Sequence, residues 1–236
     1  MNEFEKFIKN IEKLSNKIIN FFHNSEIDFK EVVERLDYIQ NKLPKNIKNV
    51  SNSLMNRGWF IFDIVLHQEG LIHTNSTKQD EYMKDYISSN INIIRQILID
   101  TYPNRKQQIE DAFQAHENKL YFCSIPTFLA IAEGIGQDLY NISIFAKEQK
   151  APKTRKLLKK IEKADDFTQA SYTSLYESSK ITESIKNPTN IEKTRLNRHL
   201  IMHGISDNYG NKINSLKTIS LVFYIHNSLN FLSSEY

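Results

Sequence analysis

Cysteine, glycine and proline are all scarce in this chain, and each scarcity excludes something. A single cysteine, Cys123, permits no intramolecular disulfide and leaves no Cys-rich spacing for a structural zinc. Six glycines and five prolines in 236 residues are too few to punctuate a sheet of short strands. A long hydrophobic run is also missing: the densest, Ile219 to Ile225, falls far short of the ~20 apolar residues a spanning helix needs. The opening Met1-Asn2-Glu3-Phe4-Glu5-Lys6 lacks the basic and apolar regions of a signal peptide. Together these predict neither export nor a membrane span, and a cytoplasmic location. Charge of one sign is in no large excess either, because a net +3 does not by itself announce nucleic acid.

What is present is helical patterning. Leu, Ile, Lys, Glu, Gln and Asn dominate, and apolar residues recur at three- and four-residue steps. Phe4, Phe7, Ile8, Ile11, Leu14, Ile18 and Phe22 mark a helix over 3–22, and Phe29, Val32, Val33, Leu36, Ile39 and Leu43 a second that Pro44 should end. The stretch from Ile47 to Leu66, punctuated by Gly58, predicts short helices, with Trp59, Phe60 and Phe62 as core. Further helices are expected over 79–102, 105–120, 124–147, 153–163, 167–185 and 188–204, the last opened by Pro188 and closed by Gly204. A final helix over 215–232 is apolar nearly all round and should lie centrally. The fold class is therefore all-α, a multi-helix antiparallel bundle, with a preferred boundary near residue 118.

Chemistry concentrates in Asn197-Arg198-His199-Leu200-Ile201-Met202-His203-Gly204. On a continuous helix Glu192, Arg195, His199 and His203 share one polar stripe, while Arg198 lies roughly 140° from His203. Cleaving RNA through its 2′-hydroxyl needs a proton acceptor, a proton donor and positive charge at phosphate, roles that suit histidine and arginine. The plainer reading is a histidine complementing a helix C-terminus beside ordinary surface residues. Upstream, Glu133 sits within an apolar helix and either pairs with Arg198 or Arg195 or faces solvent beside Gln137 and Tyr140. Gly134 and Gly136 suggest close approach of another backbone, which would lay the Glu133 helix against that of Arg198. Basic residues gather at Lys150, Lys153, Arg155, Lys156, Lys159, Lys160 and Lys163, and again at Lys193, Arg195 and Arg198. Such residues either track a phosphate backbone or form a solvated face beside Glu162, Asp165 and Asp166.

Arg198, the polar His199, three apolar residues and His203 resemble the R-x4-H motif of HEPN-superfamily ribonucleases. With Tyr209-Gly210, Asn214-Ser215-Leu216-Lys217 and the apolar tail, the string is similar to the C-terminal segment of HEPN-like bacterial proteins, some linked to abortive infection. The resemblance covers roughly residues 120 to 236 and divides the chain into an N-terminal helical region, 1–118, and a HEPN-like domain, 119–236. It implies metal-independent endoribonuclease activity of toxin or phage-defence type, leaving a 2′,3′-cyclic phosphate, with no cofactor. It also implies a homodimer acting on RNA, and a possible antitoxin or regulatory partner. By the same resemblance His203 is the acid/base, Arg198 the phosphate-binding group and His199 the motif's polar residue. Asn197, Arg195 and Glu133 are expected as supporting residues. The rival expectation is a non-catalytic helical module that binds nucleotide, RNA or protein.

No Gly-rich phosphate loop, H-E-x-x-H helix or nucleophile elbow is present. His67 and His73, near Asp63 and Glu69, have no recognised metal-ligand spacing and are read as ordinary histidines.

Overall fold

The computed structural model describes residues 29–149, 151–161 and 165–235. The helix expected over 3–22 lies outside them. Two compact units result, Met1–Leu43 and Pro44–Tyr236, so residue 118 falls within the second. In the first unit, α1 (Phe29–Asp37) is followed by a π-helical turn, Tyr38–Lys42.

Helix α2 (Leu43–Arg57) corrects the expectation that Pro44 ends a helix. Pro44 instead stands directly after the π-helical turn, where Leu43 keeps helical backbone and its N–H donates to the Tyr38 carbonyl, and the helical backbone continues through the proline. It also corrects the expectation of short helices beyond Ile47, because α2 continues to Arg57. Gly58 then stops it with φ +88°, a left-handed backbone that favours glycine. The following segment carries Trp59, Phe60 and Phe62 into the core.

After a 3-10 turn (Ile64–His67) and α3 (Gln68–Leu71), the expected helix over 79–102 is two helices, α4 (Ser76–Ser89) and α5 (Ile91–Thr101). The break falls at Asn90, whose backbone N–H and side-chain Nδ2 both donate to the Tyr86 carbonyl, at 3.1 and 2.8 Å. A polar side chain that satisfies the helix-terminal carbonyl competes with continuing the helix.

Helices α6 (Lys106–Glu117) and α7 (Tyr121–Tyr140) pack closely together. Ser124 does not cap α7, which begins at Tyr121 and carries Pro126 inside it. A proline there removes the donor for the Phe122 carbonyl four residues earlier. The Tyr209 hydroxyl donates to that carbonyl at 3.2 Å and replaces the lost bond. The helix ends at Asn141, φ +50°, short of the expected 147. A ribbon of β1 (Lys147–Glu148) and β2 (Ala151–Pro152), pairing Lys147 with Pro152, is the one sheet among the described residues.

The chain from Lys153 to Ile205 is a series of short turns of helix. A 3-10 stretch (Lys153–Ile161) leads to α8 (Asp166–Ser171), α9 (Thr173–Tyr176) and a 3-10 turn at Lys180–Thr182. Next come α10 (Asn190–Thr194) and α11 (Arg198–Met202). Helix α12 (Lys212–Glu235) is central as its apolar sequence requires: Leu216, Ile219, Val222, Tyr224, Ile225 and Leu229 are all buried. It packs most extensively on α7 and also on α4 and α5. Polar bonds key this centre: Ser215 on α12 joins His116 Nδ1 at 2.7 Å and Ser124 Oγ at 2.9 Å. No helix among the described residues is long and apolar enough to cross a membrane.

Candidate active site on a short helix

The stripe expected from a continuous helix over 188–204 is not formed, because the helix is cut in two at Arg195, Leu196 and Asn197. Both pieces have side-chain caps, and the caps explain the cut. Thr189 and Glu192 form a capping box on α10: Thr189 Oγ1 accepts from the Glu192 N–H, and the Glu192 carboxylate accepts from the Thr189 N–H at 2.7 Å. The Glu192 carboxyl is held below its ordinary value first by the bonds from Thr189, with smaller help from Arg195 and Lys180. Asn197 then caps α11, its Oδ1 accepting from the Leu200 N–H at 2.9 Å. The same amide donates to the carbonyls of Lys180 at 2.8 Å and Glu183 at 3.0 Å. Asn197 is buried and anchors α11 together with the buried Leu200 and Ile201.

Helix α11 brings two imidazoles together. His199 and His203 lie one turn apart with ring centroids at 4.4 Å, His203 exposed and His199 half-buried. His199 Nε2 is 3.5 Å from Ser184 Oγ, the outer limit of a hydrogen bond. Gly204, at φ +66°, follows and ends the helix as expected.

Arg198 is the first residue of α11 and turns elsewhere. Its guanidinium lies 5.7 Å from the Phe145 ring centroid, within reach of a cation–π contact. The Phe145 N–H in turn donates to a Glu133 carboxylate oxygen at 3.3 Å. Glu133 and Arg198 therefore meet the same residue from two sides, and α11 packs against α7 as the Glu133 argument expects. No ion pair joins Glu133 to Arg198 or Arg195, and no hydrogen bond joins Arg198 to His203, among the described residues. The direct pairing expected for Glu133 is corrected: a backbone N–H satisfies the carboxylate in place of a guanidinium.

The two glycines also have another cause. A side chain at Gly134 would collide with the guanidinium of Arg105, which forms a fork on Asp138 at 2.6 and 2.7 Å and donates to the Gly134 carbonyl at 3.2 Å. One at Gly136 would meet Ile144 and the Ile142 carbonyl. The close neighbours are thus a side chain and the chain leaving α7, not the helix of Arg198.

Of the first basic cluster, Arg155 stacks on Tyr176 at 4.3 Å and approaches Glu177 at 3.8 Å, while Lys156 pairs with Glu148 at 2.6 Å. These contacts favour the solvated-face reading for those two residues; Lys150 and Lys163 lie outside the described residues. Arg195 lines a separate cavity with Arg57, Lys180 and Lys217. His67 is more engaged than an ordinary histidine: Nδ1 is 2.7 Å from the Tyr82 hydroxyl and Nε2 3.6 Å from Asp63. Burial, with Asp63 second, raises Tyr82 above its usual value and Tyr86 to about 12. No group of three or more His, Cys, Asp or Glu among the described residues is arranged to hold a metal ion. Sequence reasoning missed Phe145 and Ser184, since nothing in their local spacing links them to a motif that begins at Arg198, far along the chain.

No family model matches the chain, and neither a curated protein nor a solved structure matches it.

Proposed function

We propose that this chain is a HEPN-like, metal-independent endoribonuclease of toxin or phage-defence type, acting in the cytoplasm as a homodimer under an antitoxin or regulatory partner. The observation that carries the reading is the accessible imidazole pair of His199 and His203, 4.4 Å apart on one short, firmly capped helix. Two adjacent imidazoles supply both halves of a proton relay. His203, the more exposed, takes the proton from the 2′-hydroxyl as that oxygen attacks phosphorus. His199 supports it and returns a proton to the 5′-oxygen as the P–O bond breaks, leaving a 2′,3′-cyclic phosphate and a free 5′-hydroxyl. Arg198, on the same helix, becomes the cation for the phosphoryl oxygens by swinging away from the Phe145 ring on which it rests.

Incubation of the full chain with mixed RNAs in EDTA tests this. Cyclic-phosphate ends should accumulate, and His203→Ala should slow their formation by about 100-fold or more, the usual worth of a general acid/base. An equal rate in that variant would sink the assignment.

One observation favours a second reading. Arg198 rests on Phe145 and is not hydrogen-bonded to His203, which suits a non-catalytic helical module that binds nucleotide, RNA or protein. A folded protein inert towards every RNA in the same assay would support it.

A further inference from the structure

A cavity of about 370 Å³ opens where the end of α2, α4, the 3-10 turn at Lys180, the C-terminal end of α10 and the first turns of α12 meet. Its lining includes four cations, Arg57, Lys180, Arg195 and Lys217, and one carboxylate, Asp80. Neither His199 nor His203 lines it.

The carboxylate is already committed. Asp80 Oδ1 accepts from Arg57 Nε at 2.7 Å, and the rest of that guanidinium is fixed by the Ser53 hydroxyl at 2.6 Å, the Ser53 carbonyl at 3.0 Å and Gln79 at 2.7 Å. Arg57 is thus a preorganised wall of positive charge, with Asp80 as its own counter-ion.

Lys217 is the unusual member. It is half-buried, its ammonium lies 5.4 Å from the Trp59 ring centroid, and no carboxylate stands within ion-pair distance of it among the described residues. The missing side chain of Gly58 makes room for it, because a Cβ there would come within 3.3 Å of the Lys217 stem. Burial lowers its pKa; Asp80 opposes this, while Arg57 and Arg195 push the same way as burial. Asp80, already bonded to Arg57, is the one acid that offsets burial and the two guanidiniums there, and it stands outside ion-pair distance of the ammonium, which leaves room for a further anion. At the rim, Arg195 and Lys180 are exposed, and Glu192, whose charge interacts with both, is occupied by its capping box.

We propose that this cavity binds a small molecule bearing a diphosphate, such as pyrophosphate or a nucleoside diphosphate. Four cations set against one carboxylate leave an excess of three positive charges, which a diphosphate meets and a single phosphate does not. The volume lies in the roughly 300–1,000 Å³ range of small-ligand sites. Depth argues against a polymer: a half-buried ammonium is reached by a terminal phosphate group, whereas the internal phosphodiesters of a continuous RNA strand would stay at the rim. The proposal goes beyond the cleavage reading and does not depend on it.

Calorimetric titration of the full chain with pyrophosphate, ADP, orthophosphate and a short RNA tests it. Pyrophosphate and ADP should bind one site and compete, with orthophosphate at least about tenfold weaker. The exposed substitution Arg195→Gln should weaken pyrophosphate binding about tenfold or more, the scale of one charge-assisted hydrogen bond. Lys217→Met should weaken it further, while His203→Ala should leave it unchanged. Absence of pyrophosphate binding at millimolar concentration, undiminished binding by Arg195→Gln, or a short RNA that competes with pyrophosphate for the same site would overturn the proposal. Loss of cleavage in His203→Ala with pyrophosphate binding retained would separate the two sites.

Discussion

Buried histidines give this molecule its clearest pH response at the scale of single residues. His226 on α12 is 9% exposed, and burial lowers its pKa to about 4. His226 Nδ1 lies 3.2 Å from both the Tyr102 hydroxyl and Asn230 Nδ2, and burial favours the neutral ring. The unfolded chain protonates His226 near 6.5, whereas the folded chain resists until about 4. The stabilisation it represents is complete above pH 6.5 and is lost progressively as pH falls towards 4, a total of about 3 kcal/mol. His116, also lowered first by burial, has the same sign. Urea titrations at pH 7, 5.5 and 4.5 should show falling stability, and His226→Gln should flatten the slope. A wild-type curve that is level over this range would refute the assignment.

Between residues and the whole lies the element that presents the candidate site. Helix α11 has five residues, too short to be stable by propensity. Beside the packing of Leu200 and Ile201, Asn197 secures it with one accepted bond at the helix start and two donated to the chain around Lys180 and Glu183. Asn197→Ala removes a cap and leaves two carbonyls without their donor. It should cost about 2–3 kcal/mol, from a cap of ~1 and similar amounts for each lost bond. It should also lower cleavage well beyond any loss of global fold at low temperature, since the imidazole pair is set by this helix. Asn197→Asp keeps the acceptor but not the donors and should fall between the two. Chemical denaturation gives the first quantity and rates on folded protein the second; an alanine variant as stable as wild type would show that α11 is held by packing alone.

For the whole molecule, the second compact unit contains the central helix α12, its partners α4, α5 and α7, and both candidate sites. A chain of residues 44–236 should therefore keep its helical circular-dichroism signal and melt cooperatively; a non-cooperative melt would contradict the division. How far all this could be read beforehand differs from level to level. Hydrophobic periodicity determined the all-α class, the long helices and the central place of α12, because burial of one helical face is written locally at three- and four-residue spacing. Helical spacing likewise placed His199 and His203 one turn apart, whereas Arg198, which the R-x4-H string sets with His203, lies over Phe145. Tertiary structure alone decided that Asn197 interrupts a helix, since its amide meets the distant carbonyls of Lys180 and Glu183, whereas the break at Asn90 rests on a local bond to Tyr86. It also decided that Glu133 takes a backbone N–H, that Arg105 fills the space beside Gly134, and that Arg57, Lys180, Arg195 and Lys217 surround one cavity. Residues so far apart in the chain are joined by folding, and electrostatics acts through space, so no local pattern records it.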